Sequence, residues 1–110
     1  MELILTEKEK EKIAKIEDKT IPGYKRIPEL KRIHVTFKNG RCLSIIQGYG
    51  LYEGEGDRYE IATINREGKI DGSLLNLKNG VEGYLTLEQV TERAKQLMNL
   101  EIPEEETNDK

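Results

Sequence analysis

Cysteine and histidine are nearly missing from this chain, which offers one of each, Cys42 and His34. A single cysteine excludes an internal disulfide and makes a reducing, cytoplasmic home the expectation. A structural zinc site wants about four Cys or His ligands, twice what is here. Long apolar runs are lacking as well: Leu3-Ile4-Leu5 gives way at once to Thr-Glu-Lys-Glu-Lys, so neither a signal peptide nor a membrane span is expected. No Gly-Lys-Ser/Thr occurs, and the Gly48-x-Gly50 pair leads into no helix start, which removes the common phosphate cradles. A strong excess of one charge is also absent. The net charge of −3 argues neither for nor against a nucleic-acid partner.

What remains is a 110-residue chain in which 35% of residues are apolar and 35% charged. That is enough for one domain with a thin core, which such chains often supplement by dimerising or docking. The expected organisation is a single α+β domain over residues 1–100 and an acidic, disordered tail over 101–110. The expected architecture is an antiparallel sheet of about four strands with an N-terminal helix and a C-terminal amphipathic helix on one face.

Local signals place these elements. Thr6 followed by Glu9 forms a capping box, and a helix is expected over residues 7–18. Helical spacing then gathers Lys8, Lys12, Lys15 and Lys19 into one basic ridge beside a meagre seam of Ile13 and Ile16. The ridge reads as a solvated lysine face, or alternatively as a nucleic-acid-binding surface. Ile21-Pro22-Gly23 and Ile27-Pro28 carry the chain onward. From Arg32 to Gln47, Ile33, Val35 and Phe37 alternate with polar residues and Asn39-Gly40 supplies a two-residue type I′ turn, so a hairpin is expected. In that register Phe37 faces Cys42, Val35 faces Ser44 and Ile33 faces Ile46. His34 and Cys42 then lie on opposite faces, which keeps them from forming a thiol–imidazole dyad. Tyr59 to Ile64 reads as a third strand and Lys69 to Asp71 as a short fourth, while residues 73–85 are ambiguous between strand and loop. Thr86 with Gln89 opens a second helix, Leu85 and Val90 make its hydrophobic staple, and Leu87, Val90, Ala94, Leu97 and Met98 form its core face.

The densest feature is Gln47 to Ala62, where four glycines, three tyrosines and four carboxylates fall between two strand-like runs. Glu53, Glu55 and Asp57 alternate with glycine as a cation site would, yet match no EF-hand order, and no metal or other cofactor is expected. Tyr49, Tyr52 and Tyr59 offer rigid aromatic contact surface, and Glu53, Glu55, Asp57 and Glu60 offer carboxylates able to imitate phosphates. These seven residues form the candidate partner-binding set. No catalytic residue is expected.

Leu43-Ser-Ile-Ile-Gln-Gly, the Tyr/Gly loop, Tyr59-Glu-Ile-Ala and Gly83-Tyr-Leu-Thr before an amphipathic helix together resemble a group of small phage and prophage proteins of Gram-positive bacteria. The resemblance spans about residues 41–98 and departs at Asp57-Arg58, where Gly-Leu is more usual. It carries over no functional residues. It implies a context: a small cytoplasmic protein that binds a host protein or ribonucleoprotein, similar in kind to inhibitors of bacterial defence such as anti-CRISPR proteins. Besides the nucleic-acid module, the alternative is a dimeric binder of a signalling nucleotide.

Overall fold

The computed structural model describes residues 3–26, 29–47 and 58–100. Among them, a short helix α1 (Glu7–Lys10) precedes strands β1 (Ile13–Asp18), β2 (Arg32–Phe37), β3 (Cys42–Gln47), β4 (Tyr59–Ile64) and β5 (Val81–Leu85), and helix α2 (Leu87–Met98) follows. The strands form one antiparallel meander in the order β1-β2-β3-β4-β5. The class is α+β as expected, with five strands in place of four.

Strand alternation builds the core. Val35, Phe37, Leu43, Ile45, Ile61 and Thr63 point to one face and are almost wholly buried. Helix α2 lies on that face through Val90, Ala94, Leu97 and Met98, the stripe that its helical spacing predicts. Both capping boxes form: the Thr86 hydroxyl accepts the Gln89 N–H while the Gln89 side chain accepts the Thr86 N–H, and Thr6 and Glu9 do the same. Leu85 and Val90 are both buried where the staple puts them.

The first helix, however, stops at Lys10, and residues 13–18 are a strand where a helix over 7–18 is expected. Short helices depend on packing of an apolar face rather than on propensity, and two isoleucines are too little. As a strand the same residues gain a ladder with β2, Ile13 lying opposite Phe37 and Ile16 opposite Val35, in a conformation that suits β-branched side chains.

The hairpin forms with its register moved by one residue. Thr36 faces Cys42, Val35 faces Leu43 and Ile33 faces Ile45. The loop has three residues: the Phe37 N–H donates to Arg41 O at 2.8 Å, the Gly40 N–H to Phe37 O at 2.9 Å, and Gly40 alone in the loop takes a positive φ, +88°. This is a type I turn closed by a left-handed glycine, not the type I′ turn. Asn39 is employed differently. Its amide donates to Leu97 O at 2.9 Å at the end of α2, and its carbonyl oxygen accepts the Arg41 N–H. Capping a helix carbonyl with a side chain from the sheet fixes α2 against the hairpin.

Between β4 and β5 the chain makes a turn at residues 65–68, pairs with β4 again through an Ile64–Ile70 bridge while the Thr63 hydroxyl donates to Asp71 O at 2.8 Å, and passes through two 3₁₀ turns, Gly72–Leu74 and Lys78–Gly80. The short fourth strand expected at Lys69 to Asp71 is reduced to that bridge, and the ambiguous segment divides into turns and β5. Gly72 is required where it stands: a Cβ there would lie 2.2 Å from Leu77 O and 2.8 Å from Gly80 N.

Candidate functional site

One end of the sheet gathers the features that distinguish this fold. Gln47 pairs with Tyr59 across β3 and β4, so the end of β3 and the start of β4 lie side by side. Tyr59 in turn pairs with Leu85, but Ile61 pairs with Glu82, so β5 spends an extra residue between the two contacts. That bulge falls on Gly83 and Tyr84. Tyr84, not the glycine, takes the left-handed conformation with φ +63°. A bulky residue there carries a backbone cost of about 1–2 kcal/mol. The strain has a geometric result: the Tyr84 ring is half exposed, with the Arg58 guanidinium carbon 4.9 Å from its centroid. Bulges re-aim side chains in this way beside binding sites.

The corner is braced from below. Glu82 and Arg93 form a two-pronged ion pair, with Arg93 Nε and Nη2 each 2.8 Å from a carboxylate oxygen. The guanidinium hydrogen bonds hold the Glu82 carboxyl below its ordinary range, and the carboxylate raises Arg93 in return. Fork-to-fork geometry fixes direction as well as distance, so β5 is clamped to α2 one turn from the staple.

The candidate residues separate here. Tyr49, Tyr52, Glu53, Glu55 and Asp57 lie outside the described residues. Tyr59 is 9% exposed and belongs to the core, so its ring packs inward rather than serving as contact surface. Glu60 is half-buried on the opposite face of the sheet, across from Ile46. Arg58 and Tyr84 are the residues that sequence reasoning missed. The Gly83-Tyr84 pair interrupting an apolar alternation was the available signal, but it reads equally well as a loop.

The basic ridge is not assembled. Lys8 lies in α1, Lys12 follows it and hydrogen-bonds Asn99, and Lys15 sits in β1, 3.7 Å from Glu17. Lys19 comes after that strand, its N–H paired with Arg32 O. Strand geometry replaces the helical period that would have aligned the four.

The sheet face opposite α2 holds a shallow groove of about 290 Å³ lined by residues that include Lys15, Glu17, His34, Thr36, Cys42 and Arg66. His34 and Cys42 therefore share a face, contrary to expectation, because the register moved by one and flipped the return strand. Their chemistry does not follow from proximity. Burial pushes the Cys42 thiol up, which favours the protonated form over the nucleophilic thiolate. Burial first, and then the positive charges of Arg32 and Lys19, hold His34 below its usual value, with Glu17 pulling weakly the other way. Each shift works against a thiolate–imidazolium pair. A smaller hollow of about 190 Å³ lies beside the 65–71 turn. Arg41, 2% exposed, lines it, and its charge helps depress the Asp71 carboxyl, which is lowered chiefly by the Ser73 hydroxyl and N–H.

Among the described residues no cluster of three or more Cys, His, Asp or Glu is placed to hold a metal ion. Nor is any helix among them long and apolar enough to cross a membrane. Comparison of the chain with protein-family models, curated proteins and solved structures returned no match.

Proposed function

We propose that this chain is a non-enzymatic, phage-encoded binding protein that acts in the host cytoplasm by blocking a bacterial defence complex, CRISPR–Cas assemblies foremost. The β3–β4 end of the sheet seats on an arginine-lined nucleic-acid groove, with carboxylates from Glu53, Glu55, Asp57 and Glu60 standing in for phosphates. The observation that carries this reading is Tyr84: an exposed aromatic held at a costly φ of +63°, with Arg58 against its face, beside the two strand ends that deliver the acidic, tyrosine-bearing segment. Tyrosine and arginine are the residue types that concentrate binding energy at interfaces. The resemblance to small phage and prophage proteins agrees with it, and the scattered lysines remove the main support for the nucleic-acid-binding alternative. Phage plated on hosts carrying defined CRISPR–Cas systems, with and without this chain expressed in trans, test the proposal. Rescue against at least one system is expected, and failure against all of them would refute it.

A further inference from the structure

The two edges of the sheet are built differently. β5 is interrupted by the bulge at Gly83 and Tyr84. β1 runs without interruption from Lys15 to Asp18, and no further strand among the described residues pairs with its outer side. An antiparallel ladder turns the peptide groups of alternate residues toward the partner strand. The Lys19 N–H donates to Arg32 O at 2.8 Å, so the same alternation directs the peptide groups of Glu17 and Lys15 to β2 and leaves the N–H and C=O of Ile16 facing outward. The Ile16 side chain is 59% exposed on the helix side of the sheet, at a groove of about 420 Å³ lined also by Leu3, Leu5, Ile13, Ile33 and Val35. Lys15 and Glu17 stand on the other side.

We propose that a second copy of this chain covers this edge, β1 against β1, antiparallel about a twofold axis that passes beside Ile16 perpendicular to the sheet. The charges choose both occupant and register. A perpendicular twofold keeps helix-side residues opposite helix-side residues, so within the uninterrupted stretch it passes beside Lys15, Ile16, Glu17 or Asp18, and at Asp18 it sets aspartate against aspartate. Centred on Lys15 it sets lysine against lysine, and centred on Glu17 it sets glutamate against glutamate; like charges directly opposite are unfavourable. Centred on Ile16 it places Ile16 against its copy, lets the two exchange their outward N–H and C=O groups, and sets Lys15 opposite Glu17 twice, once on each side of the axis. The two apolar grooves then meet across the axis and the sheet continues through both copies. Self-complementarity of this kind is what an isologous interface requires. The arrangement uses the edge remote from Tyr84 and stands apart from the defence-complex reading.

Sedimentation equilibrium on the full chain tests it. A concentration-dependent dimer is expected for the native sequence. Lys15→Glu alone, or Glu17→Lys alone, sets like charges across both sides of the axis and raises the dissociation constant about tenfold or more, while the double swap returns it to near the native value. Ile16→Pro deletes an N–H that faces away from β2, a position where edge strands accept proline, and is expected to give a folded monomer by circular dichroism. A native chain that stays monomeric up to about 1 mM overturns the proposal. So does a dimer indifferent to the single swaps, or one that the double swap fails to restore.

Discussion

The β5 edge and the β1 edge of this sheet solve the same problem in opposite ways. An edge strand exposes unpaired peptide groups that invite other chains, and proteins blunt it with bulges, charges or cover. β5 is blunted by distortion: the bulge breaks its ladder, Glu82 clamps it to Arg93, and the strained Tyr84 is turned outward over Arg58. β1 keeps a regular ladder from Lys15 to Asp18 and an exposed isoleucine, with alternating charges that tolerate few registers. A distorted edge presents side chains, whereas a regular one presents backbone.

The largest effect that sharpens this contrast comes from the helix that covers only one side of it. Leu97 is fully buried between α2 and the sheet, so Leu97→Ala should cost about 2–5 kcal/mol in urea unfolding. Ile16→Ala, at the open edge, should cost well under that in the monomer, and equal losses would break the comparison. Next comes the clamp. Glu82→Gln removes the charge from a pair whose side chains are about a quarter exposed, and after discounting for solvent screening the loss should be about 1 kcal/mol. Because the folded carboxyl is held below its unfolded value of about 4.3, its contribution is fully present above that value and disappears as pH falls through the folded pKa. The stability difference between native and Glu82→Gln chains should therefore be constant near neutrality and shrink on acidification. A difference that grows toward low pH would contradict the assignment.

The smallest expected change in stability is the most informative one. Tyr84→Gly relieves the left-handed cost of about 1–2 kcal/mol and adds a glycine entropy cost of about 0.5–1 kcal/mol. Stability should stay level or rise by about 0.5 kcal/mol on that balance, even though an aromatic side chain with an arginine contact is lost. A clear drop would mean that the ring is a structural support rather than a surface held out for a partner.

These residues also mark what the sequence could and could not disclose. The β2–β3 hairpin, β4 and α2 were legible because alternation, caps and staple are written within a few residues of one another. β1 was not, since the Thr6–Glu9 box announces a helix without stating its length, and what ends it is pairing with β2, remote in sequence. The register hung on the turn class at Lys38 to Gly40, where Asn-Gly suits a two-residue loop, but the Asn39 side chain is drawn to the end of α2. One residue of difference moved Cys42 onto the face of His34. The Tyr84 corner was the least legible of all: Gly83 invites a positive φ, yet the ladder with β4 assigns it to the tyrosine. Of the proposed contact set, Tyr59 turned out to be core for a similarly local reason, since its place in the alternation points it toward α2.

The most direct test of the account is plating efficiency of a CRISPR–Cas-sensitive phage on hosts expressing the native chain, Tyr84→Gly or Lys15→Glu, with folding of each verified by circular dichroism. Rescue by the native chain and by Lys15→Glu, with rescue lost for folded Tyr84→Gly, is the predicted result. Undiminished rescue by Tyr84→Gly would contradict it.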